Sequence, residues 1–234
     1  MEKINKLKIK LNNYNLDGYL IPKNDEFFSE YVPQDKDKLH YISNFSGSYG
    51  LALILKKDNF LFVDGRYTVQ ANIQSGKDFK IITLPFGKKN NNLNIKTKKI
   101  GFDPKLFNER TLKQFKKKLG VKFIAINNNL IKFKEKKKNI TYRNKNFYVL
   151  DKSITGESCT KKITNLKRYF YKNNIDIMFV TSSENVAWLL NIRGHDSDFS
   201  PIPNCFLIIN RQMKVFLFCD KKKINRKFKK NLIL

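Results

Sequence analysis

Negative charge is what this chain has least of. Its 234 residues hold 20 Asp and Glu against 47 Lys and Arg, a formal net charge of +27. Cysteine is also scarce. Cys159, Cys205 and Cys219 form no C-x-x-C pair, and an odd count argues against a disulfide framework. They read as small buried residues in a reducing compartment. Only two histidines occur, His40 and His195, which is too few for a His-based metal centre without an acidic cluster beside them. No apolar run approaches the roughly 18 residues that span a bilayer. The N-terminal stretch MEKINKLKIKLNNY is an amphipathic helix pattern without an apolar signal core. These absences point to a cytoplasmic chain with no membrane partner.

The excess of basic residues admits two readings. A polyanion binder such as an RNA protein would use it to release counterions from phosphates. Alternatively it is composition, because the chain is crowded with Lys, Asn, Ile and Phe, as an AT-rich genome produces. The charge is almost all Lys and is spread along the sequence, and Arg, the better phosphate and base reader, is scarce. Composition is the favoured reading, and nucleic acid is not expected as a partner. A hydrophobic content of 41% over this length suits one large or two small globular domains.

Along the chain, strands alternate with helices, which argues for an α/β class. DGYLI is a strand stopped by Pro22. NDEFFSEY begins with Asn24, a residue suited to cap a helix. KDKLHYISNF has helical spacing at Leu39, Ile42 and Phe45. LALIL and FLFV make a strand pair, Arg66 to Gln74 a helix, and DFKIITLP a strand. PFGKKNNNLNIKTKK reads as a polar surface loop. KKIGFDP is a strand, NERTLKQFKKKLG a helix capped by Asn108 and ended by Gly120, and VKFIAI a closing strand. A basic, Asn-rich stretch follows. Structure resumes with a helix capped by Ser158, then IDIMFV, SSENVAWLLNI, CFLIIN and KVFLFCD.

The second series repeats the first. NNYNLDGYLIPKNDEF aligns with KNNIDIMFVTSSENVAW, and NFLFVDGRY with KVFLFCDKK. The chain therefore reads as a domain over 1–127, a linker over 128–156 and a second domain over 157–234. After Asp64 the first copy continues with a helix and further strands. After Asp220 only KKKINRKFKKNLIL remains, so the second copy looks incomplete, with an open sheet edge.

Three stretches hold groups capable of chemistry. In FLFVDGRYTVQA, Asp64 and Arg66 sit at the C-terminal end of a strand, where α/β folds bind ligands. A tight DG turn explains the same residues, and chemistry alone favours the turn. NFSGSYG could cradle an anion but lacks the G-K-[ST] of a phosphate loop. Ser48 has no neighbouring base in sequence, and a tight turn accounts for it. NIRGHDSDFSPIP gathers Arg193, His195, Asp196 and Asp198. H-D-x-D could ligate a divalent metal, although a hydrogen-bonded polar loop is favoured. Trp188, on the preceding helix, reads as a core residue.

Taken in order, DGYLIPKNDEFFSEYVP, HYISNFSGSYGLALIL, FLFVDGRYTVQA, IGFDP, LDKSITGESCTKKI and ENVAWLLNIRGHDSDFSPIP resemble the Xaa-Pro aminopeptidases of the creatinase/prolidase group. The resemblance covers nearly the whole chain. It implies two tandem creatinase N-terminal-like α/β domains with mixed β-sheets flanked by helices, the second incomplete. It also implies a third, catalytic "pita-bread" domain, which does not match any part of this sequence. In that domain two divalent metals, often manganese, polarise the carbonyl that a metal-bound hydroxide attacks, on peptides with proline in second place. No residue of this chain is carried over as catalytic or as a metal ligand, and no cofactor is expected in it. The resemblance implies a role in dimerisation or in pairing with a catalytic metallopeptidase domain, and in shaping the substrate entrance. Asp64, Arg66, Arg193 and Asp196 are the candidates for that entrance. The Trp and Arg-Pro pair usual in the family's linker are replaced here by KFKEKKKNITY. A free-standing interaction module and an RNA-binding protein are the competing functions.

Overall fold

The computed structural model describes residues 2–85, 93, 95, 98–132 and 145–232. They form two compact units. One comprises residues up to Glu26 together with Val32–Glu135, the other Phe27–Tyr31 together with the chain from Lys136 onward.

In the first unit, α1 (Glu2–Asn13), β1 (Gly18–Pro22), α2 (Lys38–Ser43), β2 (Leu51–Leu55) and β3 (Asn59–Asp64) come first. They are followed by α3 (Thr68–Ser75), β4 (Lys80–Leu84), β5 (Lys99–Phe102), α4 (Glu109–Leu119) and β6 (Lys122–Ala125). The strands form one six-stranded sheet in the order β4-β3-β2-β1-β5-β6. β2 runs antiparallel to both β1 and β3, and the other pairs are parallel.

Both faces of this sheet are covered, which is why LALIL and FLFV read as unbroken apolar runs. Side chains alternate between the faces. Tyr19, Ile21, Ala52, Ile54, Leu61 and Val63 pack with Ile4, Leu7 and Leu11 of α1, Leu39 and Ile42 of α2, and Ala71 of α3. Leu20, Leu51, Leu53, Leu55, Phe60 and Phe62 pack with Phe115 and Leu119 of α4. α4 is bounded as the sequence suggests. The Asn108 side chain accepts from the Thr111 amide at 2.8 Å, and Gly120 ends the helix at φ 65°.

The second unit contains β7 (Tyr148–Val149), α5 (Lys152–Thr155), α6 (Cys159–Lys172), β8 (Ile177–Val180) and α7 (Ser183–Leu190). β9 (Ile192–Arg193), β10 (Cys205–Asn210), β11 (Val215–Cys219) and α8 (Arg226–Asn231) complete it. β11, β10 and β8 form an antiparallel three-stranded sheet, and β7 pairs with β9. Cys205, Leu207 and Ile209 face Ile163 and Phe170 of α6 and Val186, Leu189 and Leu190 of α7. On the other face Phe27 stacks on Phe206 with ring centroids 4.9 Å apart.

The structure corrects several expectations. NDEFFSEY is not a helix but a series of turns and bends. The Asn24 side chain does not cap; it donates to the Leu106 carbonyl at 3.2 Å. Phe28 takes a left-handed φ of 56°, which stops helical propagation. The polar loop before β5 is not wholly on the surface, because Ile95 is buried in the core under α4. Trp188 is 60% exposed, not core. The apolar side of α7 is supplied by Val186, Ala187, Leu189 and Leu190 instead. Both ends of the expected 128–156 linker are built into the units. Leu130 and Ile131 are buried in the first, and β7 pairs with β9 in the second. The KFKEKKKNITY replacement, apart from Lys132, lies outside the described residues.

Candidate functional site

β3 delivers Asp64 to the sheet's end, and a short 3-10 turn over Gly65–Tyr67 follows. Asp64 Oδ1 accepts from the Arg66 amide at 2.9 Å. The Arg66 guanidinium closes on the same carboxylate, Nη2 to Oδ2 at 2.7 Å and Nε to Oδ1 at 3.2 Å. The side-chain bond from Arg66 holds the Asp64 carboxyl below the usual carboxylate range and raises the guanidinium. The guanidinium also lies 5.2 Å from the Tyr67 ring centroid, and the Tyr67 hydroxyl is 2.7 Å from Ser48 Oγ. Gln74 Oε1 accepts from the Ser46 amide at 2.9 Å, and Gln70 Nε2 donates to Ser46 Oγ at 2.8 Å. The NFSGSYG turn is thus tied to α3, and Ser48 has a phenol and not a base beside it.

The backbone part of the Asp64 arrangement recurs. Asp103, Asp151 and Asp220 each accept from the amide two residues on, at 3.0, 2.8 and 2.9 Å. An Asp that bonds the amide two residues later closes a turn wherever the chain leaves an extended segment. Asp64 is therefore a turn-forming residue. Arg66 distinguishes this corner from the other three, since it adds an exposed guanidinium on a fixed carboxylate.

The other two candidates lie in the second unit and do not bond to each other. Arg193, on β9, donates through Nη1 to the carbonyls of Ala187 and Ile192, at 3.2 and 2.9 Å. It satisfies the C-terminal end of α7, where a cation also suits the helix dipole. Asp196 is buried. Its Oδ1 accepts from Lys223 Nζ at 2.6 Å and its Oδ2 from the Asn204 amide at 2.8 Å. The His195 ring lies beside Tyr148 with centroids 5.6 Å apart. The loop between them is tight, because a Cβ on Gly194 would come within 2.7 Å of the Pro203 Cα. Both carboxylate oxygens of Asp196 are committed to holding this loop. Among the described residues no three His, Cys, Asp or Glu side chains converge on a point where a metal could sit.

Sequence reasoning missed Lys162. It is buried on α6, with Nζ donating to the Trp188 carbonyl at 2.8 Å and to Asn191 Oδ1 at 2.6 Å. The amine lies 4.3 Å from the Trp188 ring centroid, which accounts for the position of that exposed indole. Burial pushes the Lys162 amine below its ordinary value. The signal was its place between Cys159, Ile163 and Leu166, inside the apolar stripe of the helix.

Comparison with known proteins adds to this geometry. The family model of the creatinase/prolidase N-terminal domain matches residues 3–132, and a second model of the same description matches 138–233. Xaa-Pro aminopeptidase 1 of Dictyostelium discoideum is 30% identical over 99% of this chain and 39% of its own length. A probable Xaa-Pro aminopeptidase P of Laccaria bicolor is 28% identical over 99% of the chain and 37% of its own. The X-prolyl aminopeptidase of Caenorhabditis elegans, described as a cytosolic enzyme with a di-nuclear active site, superposes with a TM-score of 0.82. It is 27% identical, over 98% of this chain and 40% of that one. The chain thus spans about two fifths of the length of these relatives. On this evidence it belongs to the creatinase/prolidase N-terminal domain family, and it carries that domain twice in tandem.

Proposed function

We propose that this chain serves as the non-catalytic N-terminal part of a cytoplasmic Xaa-Pro aminopeptidase. The observation that carries the reading is the match of both units, in order, to two fifths of such enzymes. In this reading the hydrolysis of the bond before proline belongs to a catalytic metallopeptidase domain. That domain holds two divalent ions, manganese by preference, which polarise the scissile carbonyl. The present chain contributes dimerisation and the wall of the substrate entrance. Asp64 and Arg66 present a fixed charge pair there, while Arg193 and Asp196 keep their loop in shape for the same purpose. Purified chain incubated with an Xaa-Pro-Xaa tripeptide and manganese is expected to release no N-terminal residue. Turnover that survives re-purification would overturn the assignment.

A second reading has one specific observation in its favour. The aromatic face of the second sheet is open, which suits an interaction module that pairs with a separately encoded catalytic chain.

A further inference from the structure

Two of the three cysteines face each other. Cys205 opens β10 and Cys219 closes β11, and the antiparallel register sets them directly opposite. Both thiols are free, and both side chains lie on the face that packs against α6 and α7. The pair is of the kind that exchanges no backbone bonds. At the other end of the hairpin the Asn210 amide donates to the Lys214 carbonyl at 3.1 Å, so Asn210 and Lys214 are a bonded pair. Bonded and non-bonded pairs alternate along antiparallel strands, which makes Cys205 and Cys219 non-bonded. The Cys205 backbone agrees. Its amide donates to Ser183 Oγ at 3.4 Å and its carbonyl accepts from the same hydroxyl at 3.2 Å, so neither group is spent on β11.

The type of pair matters for sulfur chemistry. Opposite residues of a non-bonded pair have Cα atoms about 4.5 Å apart. A disulfide spans Cα separations of about 4.4–6.8 Å. The two thiols can therefore be joined without moving either strand. The Cys205 thiol donates to the Pro203 carbonyl at 3.3 Å, so closure needs a rotation about its Cα–Cβ bond.

The place of the pair matters as well. Asn204, just before Cys205, donates its amide to Asp196, and Lys223, four residues after Cys219, donates to the same carboxylate. An ion pair thus already links the loop before β10 to the turn after β11. A bridge between Cys205 and Cys219 would join the same two segments covalently.

We propose that Cys205 and Cys219 are a redox-responsive pair, which a small-molecule disulfide oxidises to a cross-strand bridge that fastens the 194–204 loop to the end of β11. Cys219, the less buried of the two, is the sulfur that the oxidant reaches. Its thiolate attacks one sulfur of oxidised glutathione, the S–S bond of the oxidant breaks, and one glutathione leaves as a thiolate that takes up a proton. Cys205 then gives its proton to water and attacks the Cys219 sulfur, which expels the second glutathione. Two protein thiols become one disulfide while one glutathione disulfide becomes two thiols. Burial raises both cysteines, so the exchange is slow at neutral pH and quickens in alkali. The inference does not depend on the chain's being part of a peptidase.

The test equilibrates the full 234-residue chain in glutathione buffers of graded ratio, in native buffer and in concentrated urea. Free thiols are then trapped with iodoacetamide under denaturing conditions. A bridge between the tryptic peptides that end at Arg211 and Lys221 is expected. The folded chain should keep it at a ratio of squared glutathione to glutathione disulfide about tenfold or more above that tolerated in urea, because a bridge that fits the fold is held by it. Dithiothreitol should restore both thiols. Hydrogen exchange at the amides of Gly194, Asp196 and Asn204 should slow about threefold or more in the bridged form. Cys219→Ser should abolish the bridge and Cys159→Ser should not; the comparison with urea uses the parent chain and stays decisive if a variant misfolds. Two free thiols at every ratio, a glutathione adduct that stays on Cys219, or a bridge to Cys159 overturns the proposal. A bridge held less well by the folded chain than in urea also overturns it, since the fold would then oppose closure. A bridge without slowed exchange overturns the fastening of the loop.

Discussion

Lys162 carries a charge into the second core, and among the described residues no carboxylate forms an ion pair with its amine. Its bonds go to the Trp188 carbonyl and Asn191 Oδ1, and Asn191 in turn donates to the Glu157 carbonyl at 2.8 Å. Lys162→Met keeps the stem and removes the donor. Leaving buried acceptors unsatisfied costs roughly 1–3 kcal/mol, so urea unfolding should show a loss in that range. A neutral result would mean that water replaces the amine. Cys205 gives the pH counterpart. Burial pushes its thiol up, with Cys219 opposite it on β11 adding to the effect. The unfolded thiol ionises near pH 8.5 while the folded one keeps its proton, so the unfolded chain binds fewer protons above that point. Stability is therefore intact below about pH 8.5 and falls by at most about 1.4 kcal/mol per pH unit above it. Cys205→Ala removes that slope. The stability gap between parent and variant should narrow from pH 7.5 to 10, and a constant gap would refute the assignment. At this scale Asp64 was legible, because an Asp before Gly at a strand's end reads as a turn without tertiary information. Lys162 and Trp188 were not, since a residue's burial depends on which face of its helix meets the sheet.

Corresponding elements in the two units should respond unequally to the same deletion. Phe62 is fully buried against α4, whereas Phe218, at the same place in the second sheet, is half exposed. Phe62→Ala should cost about 3–5 kcal/mol, and Phe218→Ala no more than about 0.5 kcal/mol, as for a surface change. Denaturant midpoints of the two variants measure the difference. Equal losses would mean that the second face is already covered. The elements themselves were largely readable. α4 has its Asn108 cap, its Gly120 stop and an apolar stripe, and the strands have short apolar runs between turn residues. NDEFFSEY was misread because what decides it is not local. Asn24 bonds to Leu106, 82 residues away, and Phe27 packs on Phe206. The repeat was legible because register survives in the spacing of apolar residues. What covers each face was not legible, because the same alternation serves a sheet packed on one side or on both.

Across the whole molecule the charge excess is the physical constraint that no single contact relieves. A net charge of +27 repels itself in the compact state. Two largely enclosed ion pairs, Lys23 with Asp37 and Lys223 with Asp196, are less exposed to salt than the surface pairs. The exposed pairs, such as Lys6–Glu2, Lys80–Asp58 and Lys113–Glu109, contribute little and are screened readily. Repulsion among dozens of surplus cations, spread over both units, outweighs these few attractions. Added salt should therefore stabilise the fold, because the screening length drops from about 30 Å at 0.01 M to about 8 Å at 0.15 M. Melting temperature is expected to rise between 10 and 150 mM sodium chloride, by about 2–4 °C for each kcal/mol of repulsion relieved. Tetramethylammonium chloride should act equally, since screening depends on ionic strength and not on which cation supplies it. A melting temperature that falls with salt would show that the lysines are arranged in favourable pairs. The excess charge would then be a structural device and not a consequence of composition.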